Sequence, residues 1–145
     1  MVALAVLVVS AAPNLQRQWS RFQEERVAFD VAHELRTART LAIAQSQPVV
    51  WMWDASTRQW WLALVQDDGT VVPAPGRWGH RRALPERVVL SVAREDQPVQ
   101  QVAFYPDGTS DVTTLSIGTD AVVHYTITVY EATGQVALRA TPPPA

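Results

Sequence analysis

The chain has 145 residues, 48% of them hydrophobic and 18% charged, which is enough apolar mass for one domain with a real core. All twelve basic residues are Arg, and against 14 acids they leave a formal net charge of -2, so no global electrostatic attraction to nucleic acid or to an anionic membrane is available. The absence of Cys excludes a disulfide framework, a thiolate nucleophile and a Cys-based zinc site.

The first element is apolar from its first residue. As a helix, MVALAVLVVSAAP would reach only about 18 Å, against a bilayer hydrocarbon core of about 30 Å. It also lacks the basic n-region of a secretory signal, since the first Arg is Arg17. Leu15, Trp19 and Phe22 recur at helical spacing, and Ala28, Val31, Leu35, Ala38 and Ala42 continue an apolar stripe. The spacing predicts one long helix over 1–46, with a hydrophobic segment at 1–13 and an amphipathic segment at 14–46. Arg21, Glu24, Glu25, Glu34 and Arg36 are expected on its solvated faces. Pro13 removes an N–H and crowds the preceding turn, so a kink or break is expected near Ala12.

From Pro48 the signals are those of strands and turns. PVVWMWD and WWLALVQ, joined by DASTRQ, read as a hairpin of aromatic and β-branched residues. TVVPAP reads as a short edge strand, because Pro73 and Pro75 cannot donate to a ladder, and GRWGHRR as an irregular loop. RVVLSVAR, VQQVAFY, VTTLSI, VVHYTITVY and QVALRA then alternate with turn groups, giving seven or so antiparallel strands over 47–141, with 142–145 a frayed tail. The fold class is therefore α+β: a long N-terminal helix packed on an antiparallel β domain.

Enzymatic readings fail on spacing. His33-Glu34 begins like a zinc-protease helix, but Thr37 stands where the second His is needed. His80 and His124 are isolated in sequence, and Asp67-Asp68-Gly69-Thr70 and Asp107-Gly108-Thr109 are turn chemistry without calcium-loop spacing. No phosphate loop or nucleophile elbow is present. The residues thus give neither catalytic nor metal ligands, no cofactor is implied, and the chain reads as a non-enzyme.

Two groups could carry binding. Trp51, Trp53, Trp60 and Trp61 are dense enough to pad a core, yet Trp60 and Trp61 must point to opposite faces of a strand, leaving at least one Trp outside. Arg77, Trp78, Arg81 and Arg82 place guanidinium groups around an aromatic, a combination able to contact phosphates and stack on a base, although a solvated loop explains them as well.

An apolar helix, a Pro, an amphipathic helix ending HELRTARTLAIAQSQPV, then VAFYPDGTS and a closing YTITVYEATGQVALR, resemble the GspH/FimT family of minor pseudopilins and minor type IV pilins. The resemblance rests on the order of these features and on the turns carrying Phe104, Pro106, Asp107, Gly108, Thr133 and Gly134. It implies a pilin-like, GspH-type fold and an assembly function: a minor pseudopilin near the tip of the type II secretion pseudopilus, supporting protein export across the outer membrane. Its alternative is a FimT-like minor type IV pilin in pilus assembly or DNA uptake. On this resemblance Leu4, Leu7, Val8 and Leu15 would be helix contacts, in lipid before assembly and against neighbouring helices afterwards. Partners would be other minor and major pseudopilins, a prepilin peptidase acting on a leader, and the bacterial inner membrane, crossed once with the β domain in the periplasm. Nucleic acid is the weaker alternative. The Gly-Phe junction and early Glu of the family do not precede the apolar run, which implies a start inside the helix. A soluble β-rich binding module is the remaining reading, with 1–12 as ordinary core.

Overall fold

A computed structural model describes residues 2–120 and 122–141, with side chains from Gln18 onward, Ser20 excepted. Its first element, α1, is a helix over Val2–Gln45. The helix runs without interruption through Pro13, so the break expected near Ala12 does not occur. A proline removes one i to i−4 hydrogen bond, a local loss that a long flanking helix absorbs. Among the described residues no helix is long and apolar enough to cross a membrane. The helix stops where Ser46 turns to a positive φ of 53°, just before Pro48.

Among the described residues ten strands follow in two antiparallel sheets. The first sheet contains β1 (Val49–Asp54), β2 (Gln59–Val65), β3 (Val71–Pro73), β4 (Arg82–Ala83) and β7 (Gln101–Phe104), in the order β3-β2-β1-β7 with β4 also on β2. The second contains β5 (Val88–Arg94), β6 (Gln97–Pro98), β8 (Thr113–Thr119), β9 (Val122–Val129) and β10 (Val136–Ala140), in the order β10-β9-β8-β5-β6. The predicted Trp hairpin forms with Trp53 opposite Trp60 and Met52 opposite Trp61. VQQVAFY, expected as one strand, contributes only β7 to the first sheet, because the chain leaves the second sheet at Pro98 and changes sheets there. Part of GRWGHRR, expected to be irregular, winds into a short 3-10 turn at Gly76–Gly79 and supplies the first residue of β4.

Both sheets close on one face of α1. Val27, Ala28, Val31, Ala32, Leu35, Ala38 and Ala42 are buried against Trp51, Leu62, Phe104, Leu115, Ile117 and Ile127. The four alanines matter sterically, since short side chains let the helix backbone lie close to the sheets and large residues opposite fill the space. Two residues expected on the solvated side, Glu24 and Glu34, are instead buried on this packed face. Each has a partner from the β domain, as burial of a carboxylate requires. Glu24 Oε2 lies 2.5 Å from His124 Nδ1, and Glu34 Oε1 lies 2.8 Å from Arg82 Nη1.

Candidate functional site

The residues of the three quoted motifs, distant in sequence, meet at one end of the molecule. In the first, Tyr105-Pro106-Asp107-Gly108-Thr109 is a closed turn in which Gly108 N–H donates to Tyr105 O and Tyr105 N–H to Thr109 O. Asp107 Oδ1 accepts from both the Thr109 N–H and its hydroxyl, at 3.0 and 2.6 Å. These bonds hold the Asp107 carboxyl below the usual carboxylate range. Phe104 anchors the turn by inserting fully into the core. In the second, Gly134 at φ +65° closes the turn after β9 with a hydrogen bond from its N–H to Tyr130 O, at 2.7 Å.

The helix clamps both turns. Arg39 Nε donates to Thr133 O at 3.0 Å, and Arg36 Nη2 donates to Val136 O at 3.1 Å. A Cβ on Gly134 would come within 2.4 Å of Gly108 O and 3.0 Å of Arg39 Cδ, so only glycine allows the two turns and the Arg39 stem to touch. Beside this junction a groove of about 430 Å³ opens between α1 and β10, lined by Arg36, Arg39, Thr40, Tyr130 and Val136. Phe104, Pro106, Asp107, Gly108, Thr133 and Gly134 are therefore parts of one structural junction. The Arg residues that hold it stand in the quoted helix end but gave no signal of their own in sequence.

A second surface is the part of α1 outside its packed stripe, beginning beside the first sheet. Trp19, Phe22, Phe29 and Ile43 are 62%, 56%, 56% and 44% exposed. Trp19 and Phe22 stack with centroids 6.1 Å apart. With Arg26, Val27, Asp30, Trp60 and Pro85 they line a groove of about 240 Å³ between the helix and the first sheet. Sequence periodicity placed Trp19 and Phe22 on the packed stripe, whereas the structure leaves them outside it. The spacing 19, 22, 26, 29, 33, 36, 40, 43 is itself a three-four alternation along α1, and that is the signal by which this second face is legible. The side chains of Leu4, Leu7, Val8 and Leu15, the expected assembly contacts, lie outside the described ones.

The third group surrounds Trp78. Arg77 lies over its ring at 4.5 Å and Arg82 at 6.0 Å, with the His33 ring 5.7 Å away on the helix. Arg81 instead stacks on Trp61 at 4.2 Å. Trp51, Trp53 and Trp60 are buried, and Trp61 is the one of the four left partly outside. All three cations of the group are directed inward or onto aromatics: Arg77 lies on Trp78, Arg81 on Trp61, and Arg82 pairs with Glu34, whose side chain is 3% exposed. Burial pushes the Glu34 carboxyl up to about 7, against the opposing pull of Arg82 and of the Trp60 and Trp51 indoles. Neither indole N–H completes a hydrogen bond of ordinary geometry.

The sequence profile of the family described as Type II transport protein GspH matches residues 27–134. Among solved structures, the minor pseudopilin EpsH from the Type 2 Secretion System of Vibrio cholerae is similar at 17% identity. The match covers 85% of this chain and 99% of that one, with a TM-score of 0.69. The type IV minor pilin FimU of Pseudomonas aeruginosa is similar at 16% identity over 79% of this chain and 91% of that one, TM-score 0.62. The solution structure of GspH from E. coli is similar at 13% identity over 82% and 89%, TM-score 0.60. No curated protein sequence matches the chain. These structural likenesses establish a shared fold: one N-terminal helix on antiparallel sheets.

Proposed function

The chain belongs to the GspH family, and from that premise we propose that it is a minor pseudopilin, a structural subunit near the tip of a type II secretion pseudopilus. The observation that carries this reading is the aromatic outer face of α1. With its packed stripe already satisfied by two sheets, the helix still leaves Trp19, Phe22, Phe29 and Ile43 at 44% exposure or more. Packing them against the helices of neighbouring subunits removes that surface from water.

In this proposal the apolar segment 1–13 of α1 rests in the inner membrane before assembly and among other subunits afterwards, while the β domain faces the periplasm. Binding, orientation and display are the whole mechanism. The clamp of Arg36 and Arg39 holds the β domain at a fixed angle on the helix, so that incorporation of the helix fixes where the domain is displayed. Phe22→Ala with Phe29→Ala should abolish co-purification with the other pseudopilins and reduce export. The melting temperature should hold, because both rings are exposed. Retained association in the double variant would overturn the reading.

The likeness to FimU favours a second reading, a minor type IV pilin involved in pilus assembly or DNA uptake. For the DNA branch, Arg77, Trp78, Arg81 and Arg82 are the proposed contacts. A salt-sensitive shift of labelled DNA, lost when Arg77 and Arg81 become Ala, would favour it over secretion.

A further inference from the structure

Among the described residues most outer edges of the two sheets are blunted, and along β5, which β6 pairs only at Ala93 and Arg94, Val88 N–H donates to Pro85 O and Val92 O accepts from Val99 N–H. The β3 edge carries Pro73, the two-residue β6 carries Pro98, and β7 is covered by the chain at 110–111, where Asp111 N–H donates to Ala103 O and Phe104 bridges to Ser110. Among the described residues no strand pairs with the outer edge of β10, and α1 reaches only its first residue, through Arg36 on the Val136 carbonyl.

Its hydrogen-bonding direction can be read from both ends of the ladder. Tyr130 N–H donates to Gln135 O and Thr141 N–H donates to His124 O, and the register pairs Val136 with Val129. In an antiparallel ladder the paired positions alternate. The polar groups of 135, 137, 139 and 141 therefore face β9, and those of Val136, Leu138 and Ala140 face outward. Arg36 on the Val136 carbonyl agrees with that assignment and closes one end of the edge. Beyond it, Leu138 and Ala140 present backbone donors and acceptors beside the 430 Å³ groove, whose lining holds two guanidinium groups and no carboxylate. The three prolines at 142–144 cannot donate to such a ladder.

We infer that the outer edge of β10 is a docking strand for an extended, acid-bearing segment of a neighbouring pseudopilin, an inference that rests on the assembly reading above. The incoming strand continues the second sheet by pairing with Leu138 and Ala140, and its carboxylate meets the guanidinium groups of Arg36 and Arg39 at the groove. The basic groove disfavours a second copy of this chain, which would bring Arg139 and the two groove arginines against their own kind.

The test uses the chain and the purified periplasmic domains of the other minor pseudopilins of the same organism. Ala140→Pro deletes one outward N–H and leaves the β9 ladder whole, so it should weaken binding of one partner about tenfold with an unchanged melting curve. Arg139→Pro deletes an inward N–H and should instead lower the melting temperature. As a second measurement, the Leu138 and Ala140 amides should gain exchange protection when that partner is added, and unchanged exchange would overturn the inference. Unchanged affinity in folded Ala140→Pro would also overturn it; if Phe22→Ala with Phe29→Ala still abolishes binding, the assembly reading stands alone. Absence of any binding by the unaltered chain would remove both. A self-dimer dissolved by Ala140→Pro would replace the proposed occupant with a second copy.

Discussion

Glu34 shows how one buried carboxyl couples stability to pH. Its folded value, about 7, lies above the ordinary 4.5, so between those values the native state keeps a proton that the unfolded chain has released. Stability must then fall as pH rises through that window. That separation corresponds to a loss on the order of 3 kcal/mol. Denaturant unfolding at pH 5 and pH 8 should show this loss, and Glu34→Gln should flatten it. A pH profile unchanged by the substitution would contradict the assignment. The turn carboxylates Asp54, Asp68 and Asp107 act in the opposite sense, held low by their hydroxyl and backbone donors. Their contribution is present above the unfolded value of 3.8 and fades as pH falls through the folded values. Glycine positions separate just as sharply. Gly134→Ala should destabilise by about 3 kcal/mol, combining a left-handed alanine with a backbone collision. Gly69→Ala, at φ +87° but in open space, should cost only about 1 kcal/mol. Chemical denaturation of the pair checks both.

At the scale of elements, α1 is a two-faced helix, and the sequence disclosed the two faces unequally. The alanine-rich stripe was legible because Ala28, Val31, Leu35, Ala38 and Ala42 keep strict helical spacing, and all five are buried. Trp19 and Phe22 recur at helical spacing too, but in a separate alternation, 19, 22, 26 and 29, with Trp19 half a turn round the helix from Ala28, and they meet solvent. Periodicity tells which residues share a face but not which face meets the sheets. Glu24 and Glu34 were misplaced for a related reason: their burial depends on His124 and Arg82, partners at large sequence separation that no local pattern announces. The clamp yields a prediction at this scale. Arg39→Ala removes one hydrogen bond to Thr133 and the stem packed on Gly134, and should cost about 1 to 2 kcal/mol. Amide exchange should then rise in the turn at 131–135 while β1 and β2 stay protected.

For the whole molecule, the first buried residue among the described ones is Glu24, and the packed stripe begins at Val27. A chain starting at Gln18 should therefore fold cooperatively with a melting temperature close to that of the full chain, measured by circular dichroism. It should fail to co-purify with membranes while keeping the exposed aromatic residues of α1 and the β10 edge. Collapse of the β domain in that shortened chain would make 1–17 part of the core and restore the binding-module reading. By itself the sequence determined the helix, the antiparallel strands, the turns and the family, because these follow from spacing, proline and Asp-Gly chemistry within a few residues of each other. Only the tertiary structure decided the division into two sheets, the Arg36 and Arg39 clamp, the inward turn of Arg82 and the open edge of β10. Each of these depends on which distant segments become neighbours, and a one-dimensional pattern does not contain that geometry.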